Sequence, residues 1–166
     1  YSGVAILSKI KPKNITFGFV NIKFDSEGRF LRIDYNKFSI CSIYFPSGSS
    51  GPIRQNYKME FLDALYKYLK VEKKPLILSG DFNICHNAID IHDPINNKNS
   101  SGFLPEERKW MTKLLKLGFV DIFRKNNPLP HNYTWWSYSS MAKLRNKGLR
   151  IDYHIISQDL EKDVKK

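Results

Sequence analysis

A layered α/β domain is the fold class this sequence predicts, and three observations carry it. Short apolar segments broken by turn residues fill the first part of the chain, two later segments repeat their apolar residues at helical spacing, and a further apolar run lies between those two. Short strands with tight turns imply local antiparallel pairing, and strands mixed with helices imply a sheet with helices layered on it.

The strand candidates come first: Gly3 to Ser8, Ile15 to Phe19, Phe30 to Tyr35 and Phe38 to Tyr44, with breaks at Pro12-Lys13-Asn14, Asp25-Ser26-Glu27-Gly28 and Asn36-Lys37. From Arg54 to Lys70 the period changes. Tyr57, Phe61, Leu62, Leu65 and Leu69 form an apolar stripe, with Lys58, Asp63 and Lys67 expected elsewhere on the circumference of an amphipathic helix. Pro75-Leu76-Ile77-Leu78 has no polar face and reads as a strand buried on both sides that runs to Ser79. The polar stretch Asp93 to Ser101 follows. A second helix is predicted from Pro105 to about Leu117, because proline and Glu106-Glu107 suit its start, Lys113 and Lys116 its end, and Gly118 stops it. Its buried stripe would be Trp110, Met111, Leu114 and Leu115. Beyond Phe119 to Phe123 come a Pro/Asn loop, the aromatic run Tyr133 to Tyr138, a basic loop with Lys143, Arg145 and Lys147, and a final strand from Leu149 to Ile156.

A chain of 166 residues is long enough for a substantial core and is expected to form one domain over residues 1–166. Lys+Arg of 27 against Asp+Glu of 16 leaves a formal charge of +11, so the long-range field attracts polyanions, nucleic acid first and anionic membrane second. A hydrophobic share of 42% with 14% aromatic residues excludes a disordered basic tail. The sequence has no run of roughly 18 or more apolar residues, so no transmembrane helix is expected. Cys41 and Cys85 read as inert thiols in a reducing, intracellular setting, cytoplasm or nucleoid or nucleus, with one long-range disulfide between them left open. The chain begins on strand-like Tyr1 to Leu7 without an initiating methionine, which reads as a start inside a domain.

Chemistry is signalled most clearly by Ser79-Gly80-Asp81-Phe82-Asn83-Ile84, where an apolar strand runs out into a loop. Gly80 lets the backbone turn, and Asp81 and Asn83 are delivered at the strand's exit. An ionised aspartate offers oxygens to a hard cation or accepts a proton, and asparagine adds a carbonyl or an amide donor. Standing alone, the motif is equally a common turn. A second candidate is Ser42 to Gly48, which places Tyr44 at a strand terminus as a phenol able to donate to a phosphate oxygen; a tyrosine at a sheet rim is the bland alternative. The third is Gly148 to His154, where alternation puts Arg150, Asp152 and His154 on one face and Leu149, Ile151 and Tyr153 on the other. Asp152 is then a salt-bridge partner or a site carboxylate. His86, His92, His131 and His154 are expected to be loop or strand residues rather than ligands.

These stretches, taken in order, resemble the exonuclease III family of apurinic/apyrimidinic endonucleases, within the endonuclease/exonuclease/phosphatase superfamily. The matching segments are Gly3 to Ser8, Glu27-Gly28-Arg29, Tyr44 to Gly48, Gly80 to Ile84, Ser101 to Arg108, Tyr133 to Trp136 and Leu149 to Tyr153. The resemblance implies a deoxyribonuclease I-like layered α/β sandwich of two packed mixed sheets flanked by helices. It also implies Mg²⁺-dependent hydrolysis of DNA phosphodiesters at an abasic site or a 3′ end, with Mn²⁺ as a second candidate ion and a monomer acting on double-stranded DNA. By position, Tyr44 matches the active-site tyrosine and Asp81 the carboxylate that orients or deprotonates water. Asn83 matches the amide beside the phosphoryl oxygen, and Asp152 the later carboxylate. Asp81 and Asn83 are the implied metal ligands. Arg54, Asn97, Trp135 and Trp136 match positions near DNA or the abasic pocket, Arg54 being suited to a backbone phosphate.

The family's Asn-bearing first strand, its metal-binding Glu and its closing Ser-Asp-His segment have no counterpart in these residues, so the fold is expected to be incomplete at both ends and this segment by itself weakly active or inactive. Two other readings compete: another phosphodiesterase or phosphatase of the superfamily, acting on inositol lipids or sphingomyelin, and a non-catalytic DNA-binding remnant. The segment Gly102 to Arg108 and the Trp135-Trp136 pair favour the DNA-repair branch.

Overall fold

The structure, a computed structural model, describes residues 2–19, 21–139 and 141–165. Its elements run β1 (Asn14–Phe17), α1 (Ile22–Asp25), β2 (Phe30–Asp34), β3 (Ser39–Tyr44), α2 (Pro52–Val71), β4 (Leu76–Asp81), α3 (Pro105–Leu115), β5 (Phe119–Asp121), α4 (Ile122–Asn126), β6 (Trp135–Trp136), β7 (Gly148–Leu149) and β8 (Asp152–Ser157). Single 3₁₀ segments occupy Ala88–Asp90 and Gln158–Asp163.

Six strands form one mixed sheet in the order β1-β2-β3-β4-β8-β5, and β6 pairs with β7 as a separate ribbon. This is the layered α/β architecture that the mixed pattern of the sequence predicts. The pairing β3 to β4 is parallel because the long helix α2 crosses between them, while β4 to β8 is antiparallel. Alternation along β3, β4 and β8 sends Cys41, Ile43, Leu76, Leu78, Tyr153 and Ile155 to one face, where they pack with Phe61, Leu62, Leu65 and Leu69 of α2 and Trp110, Met111 and Leu114 of α3. The Trp110 indole N–H donates to the Leu62 carbonyl at 2.8 Å, which ties the two helices together. The opposite face carries Ile40, Ser42, Tyr44, Ile77, Ser79, Asp81, Asp152 and His154, all at least partly exposed.

Four expectations change. Gly3 to Ser8 forms no strand; the chain is tied to the Glu27 carbonyl just before it, where the Ser2 amide donates at 3.2 Å. The final strand is two, because residues 150 and 151 leave the ladder between β7 and β8. Arg150 consequently leaves the face of Asp152 and His154 and is buried, donating to Asp90 and Asp121 at 2.7 and 2.6 Å. Lys58, read as part of the polar circumference of α2, is wholly buried against Glu107 of α3 at 2.6 Å. Leu115 is only half-buried in the α3 stripe.

Both cysteines are free and buried, and burial pushes each thiol up to about 12. Among the described residues no helix is long and apolar enough to cross a membrane.

Candidate active site

Strand register assembles the site. Tyr44 ends β3, Asp81 ends β4 and Asp152 begins β8; Tyr44 is paired with Asp81, and Asp81 with Asp152. Residues directly paired across a ladder share a face, so phenol and two carboxylates stand in one row across three strands. The parallel pair brings two strand exits to the same edge, and the antiparallel third strand starts there.

Gly80 is what lets β4 and β3 approach so closely. Its φ is +141°, and a Cβ there would lie 2.0 Å from the Ile43 carbonyl oxygen, a distance no side chain tolerates. Beyond Asp81 the chain closes a turn on its own side chains. The Asn83 amide N–H donates to Asp81 Oδ1 at 2.7 Å and Asn83 Nδ2 donates to Asp81 Oδ2 at 3.2 Å. Asn83 sits at φ +50°, a left-handed conformation that asparagine adopts more readily than most residues. Its Nδ2 also donates to the Phe45 carbonyl at 3.0 Å, so turn and β3 exit move as one body.

The charge at Asp81 is costly. Burial raises its pKa, the Asn83 N–H opposes that, the neighbouring Asp152 raises it again, and the net position is about 6, with Lys58 and Arg29 counteracting. Asp152 is exposed and makes no ion pair among the described residues. Its backbone N–H donates to Thr134 Oγ1 at 3.1 Å, as does that of Ile151, so Thr134 fixes the start of β8.

Behind Tyr44 stands a basic relay. Arg29 is buried, donates to the Tyr44 carbonyl at 3.2 Å and sits 4.9 Å from the centre of its ring. Glu27 joins Arg29 at 2.5 Å to Arg54 at 3.1 Å, and Arg54 rests 4.5 Å over the Tyr57 ring. Arg54 is thereby linked to the phenol through two ion pairs. On the same face as Asp81 and Asp152, one step further into the sheet, Ser79 Oγ and His154 Nδ1 are 2.8 Å apart. An open cleft of about 530 Å³ adjoins, lined by Gly80, Phe123, Tyr133, Thr134, Asp152 and His154 among others.

The predicted residues therefore separate. Tyr44, Asp81, Asn83 and Asp152 converge, Arg54 joins through Glu27 and Arg29, and Trp135 follows directly on Thr134 with 42% of its surface exposed. Asn97 and Trp136 make no hydrogen bond, ion pair or ring contact with the strand-end row among the described residues. Asn97 spends its amide on the carbonyls of His92 and Asp93 at 3.0 and 2.9 Å, and the Trp136 indole donates to Asn146 Oδ1 at 3.1 Å. Arg29, Thr134, Ser79 and Lys58 were not singled out from sequence. Arg29 and Thr134 lie inside the matching segments Glu27-Gly28-Arg29 and Tyr133 to Trp136, but only the folded contacts show what each holds.

Among the described residues no three His, Cys, Asp or Glu side chains form a group able to hold a metal. The donors at hand are hard oxygens: the carboxylates of Asp81 and Asp152, and Asn83 Oδ1, which accepts no hydrogen bond among the described residues. Such a set fits Mg²⁺, which binds through one or two carboxylates and takes the rest of its shell from water and phosphate.

Comparisons with known proteins give the family. Residues 1–165 match the Endonuclease/Exonuclease/phosphatase family. An exodeoxyribonuclease of Bacillus subtilis (strain 168) is 38% identical over 167 residues, covering 99% of this chain and 66% of that protein. The DNA repair nuclease APEX1 of Danio rerio is 39% identical over 163 residues, covering 96% of this chain and 53% of that protein. The 3′ phosphatase NExo from Neisseria, solved bound to a product DNA hairpin, superposes with a TM-score of 0.87 at 26% identity, over 96% of this chain and 63% of that one. The chain thus spans two thirds or less of the length of these relatives. With its strand-end row in register and its whole described length matched, this chain belongs to the endonuclease/exonuclease/phosphatase family.

Proposed function

We propose that the protein carrying this chain is a Mg²⁺-dependent DNA repair nuclease that hydrolyses phosphodiesters at abasic sites, at 3′ ends, or both, as a monomer acting on duplex DNA. The observation that supports the reading is the single row of Tyr44, Asp81 and Asp152 across three strands, with Asn83 locked onto Asp81. Hydrolysis of a phosphodiester needs an oriented water and compensation for charge gathering on the phosphoryl oxygens. Asp81, ionised, accepts the proton of that water; its two bonds from Asn83 fix the direction in which it does so. Tyr44 donates its phenol proton in a hydrogen bond to a phosphoryl oxygen, with Arg29 beneath the ring, and Asn83 is the amide beside the same phosphate. Asp81 and Asn83 would hold the ion, and the Asp152 carboxylate, paired with Asp81 across the ladder, would add to the charge that attracts it. A bound Mg²⁺ or Mn²⁺ supplies Lewis-acid polarisation of the phosphate. Arg54 holds a backbone phosphate, and Asn97, Trp135 and Trp136 contribute contacts beside the displaced sugar.

The 166-residue chain by itself is expected to turn over slowly, because two carboxylates and one amide grip a metal weakly. A duplex with one abasic site, incubated with Mg²⁺ or with EDTA, tests the reading. Incision should require the ion and should fall at least about 100-fold in kcat for Asp81→Asn, the scale of losing a positioned base. Ion-independent incision, or incision indifferent to that substitution, refutes it.

A further inference from the structure

Among the described residues, a fully enclosed ion pair lies directly beneath the site. Lys58 and Glu107 are both 0% exposed, come from different helices and meet at 2.6 Å. A dry ion pair of this kind rarely adds stability over an apolar pair of similar volume, so its presence asks for another account. That account is the ammonium's second bond. Lys58 Nζ donates to the backbone carbonyl of Asn83 at 2.7 Å.

Around that carbonyl the contacts close a ring. Glu107 Oε1 accepts from Lys58 and from Gln55 Nε2 at 3.1 Å, while its other oxygen accepts the N–H groups of Gly102 and Leu104 at 2.7 and 3.0 Å. Gly102, at φ +92°, lies against the same Asn83 oxygen, which a Cβ there would approach to 3.2 Å. The Gly102 carbonyl in turn accepts the Cys85 N–H at 2.7 Å. The peptide after Asn83 is therefore held on one side by an ammonium and on the other by a loop that the ammonium's own partner secures. This peptide follows the residue whose left-handed backbone aims both donors at Asp81. Burial pulls the Lys58 pKa down, and the charge and hydrogen bond of Glu107 oppose that shift without cancelling it.

We propose that Lys58 is a positioning residue of the active site, fixing the Asp81–Asn83 turn by binding the Asn83 carbonyl from below while Glu107 anchors it to α3. The assignment rests on the nuclease reading for its effect on turnover, and on the geometry alone for its effect on the turn. Lys58→Met by itself strands the Glu107 carboxylate in the core and invites unfolding, so the informative variant is Lys58→Met combined with Glu107→Gln, which removes both charges. Three readouts are taken on each variant: thermal unfolding, the ¹⁵N–¹H resonance of the Asn83 amide, and kcat and KM on abasic duplex.

The double variant should fold, with the Asn83 amide displaced or broadened, and should lose about 10- to 100-fold in kcat while KM stays within about twofold, the pattern of a misaimed group rather than lost binding. Lys58→Arg, which keeps charge and donors, should recover kcat to within about threefold, as far as the larger head fits. A folded double variant with a native Asn83 amide and unchanged kcat overturns the proposal. Should the whole protein carrying this chain fail to cut DNA, the nuclease reading falls; where only the 166-residue chain fails to cut, as its donor set allows, the Asn83 amide alone decides whether Lys58 holds the turn.

Discussion

Two pairs of aspartates lie on either side of the β4 exit and meet opposite fates. In the core, Asp90 and Asp121 share the guanidinium of Arg150, and Arg124 adds a second cation to Asp90 at 2.7 Å. Burial alone would raise Asp90, yet the hydrogen bonds from Arg150, Asn87 and Arg124 hold its carboxyl below the usual carboxylate range. At the open edge, Asp81 and Asp152 pair in register with no arginine bonded to either among the described residues, and Asp81 rises to about 6. Burial acts in the same direction on both sides. What differs is a fork of N–H donors within reach, so the fold spends its arginines on order and leaves bare the carboxylates that chemistry can use.

Removing the fork is the largest blow this comparison predicts. Arg150→Met leaves Asp121 without its cation and Asp90 with Arg124 alone, and should lower stability by about 3–5 kcal/mol, read as a fall in the urea midpoint at unchanged slope. If the midpoint holds, the core carboxylates do not depend on that cation and the contrast collapses.

A smaller effect of opposite sign is expected at the open edge. Folded Asp81 binds its proton more tightly, at about 6, than the unfolded residue does near its ordinary 3.8. Without divalent ions, stability should therefore fall as pH rises through that window, and Asp81→Asn should abolish the fall. The variant is then the more stable protein above pH 6 and equal to the parent below the ordinary aspartate pKa, by thermal unfolding across the range. A variant no more stable than its parent at neutral pH would place a compensating cation beside Asp81.

The smallest effect belongs to a pair outside both regions. Lys125 and Glu161 bond at the surface with 52% and 30% of their side chains exposed. Lys125→Gln should change stability by no more than about 0.5 kcal/mol, and less at high salt.

Much of this was legible beforehand because local rules governed it. The apolar stripe of α2, the proline-to-glycine limits of α3 and the Gly80-Asp81-Phe82-Asn83 turn each depend on residues within a few positions of one another, and all three stand where the pattern puts them. Lys58 was misplaced because its partner is 49 residues away; a lysine on a helix reads as solvent-facing until Glu107 is known to lie opposite. Arg150 was misplaced for the same reason, since strand alternation cannot register that the chain leaves the ladder to meet Asp90 across 60 residues. Gly3 to Ser8 has a strand's composition, but pairing is not a property of composition. The site's convergence is readable in the sequence only through the family resemblance, which assigns Tyr44, Asp81, Asn83 and Asp152 to one site; no local pattern sets Tyr44 beside Asp81, whereas the parallel register of β3 and β4 does.

The antiparallel register of β8 bears on how this chain can change. Tyr153 and Ile155 point into the core, and Asp152 and His154 point away. Loss of one residue between Tyr153 and Ile156 would rotate Asp152 inward and an apolar neighbour outward, with composition hardly altered. An insertion of the same size in the exposed stretch 143–147 would be absorbed before β7 begins. Length is thus under tight constraint on one side of Arg150 and nearly free on the other, so natural variants of this segment should differ by gaps in the basic loop and by substitutions alone in the strand.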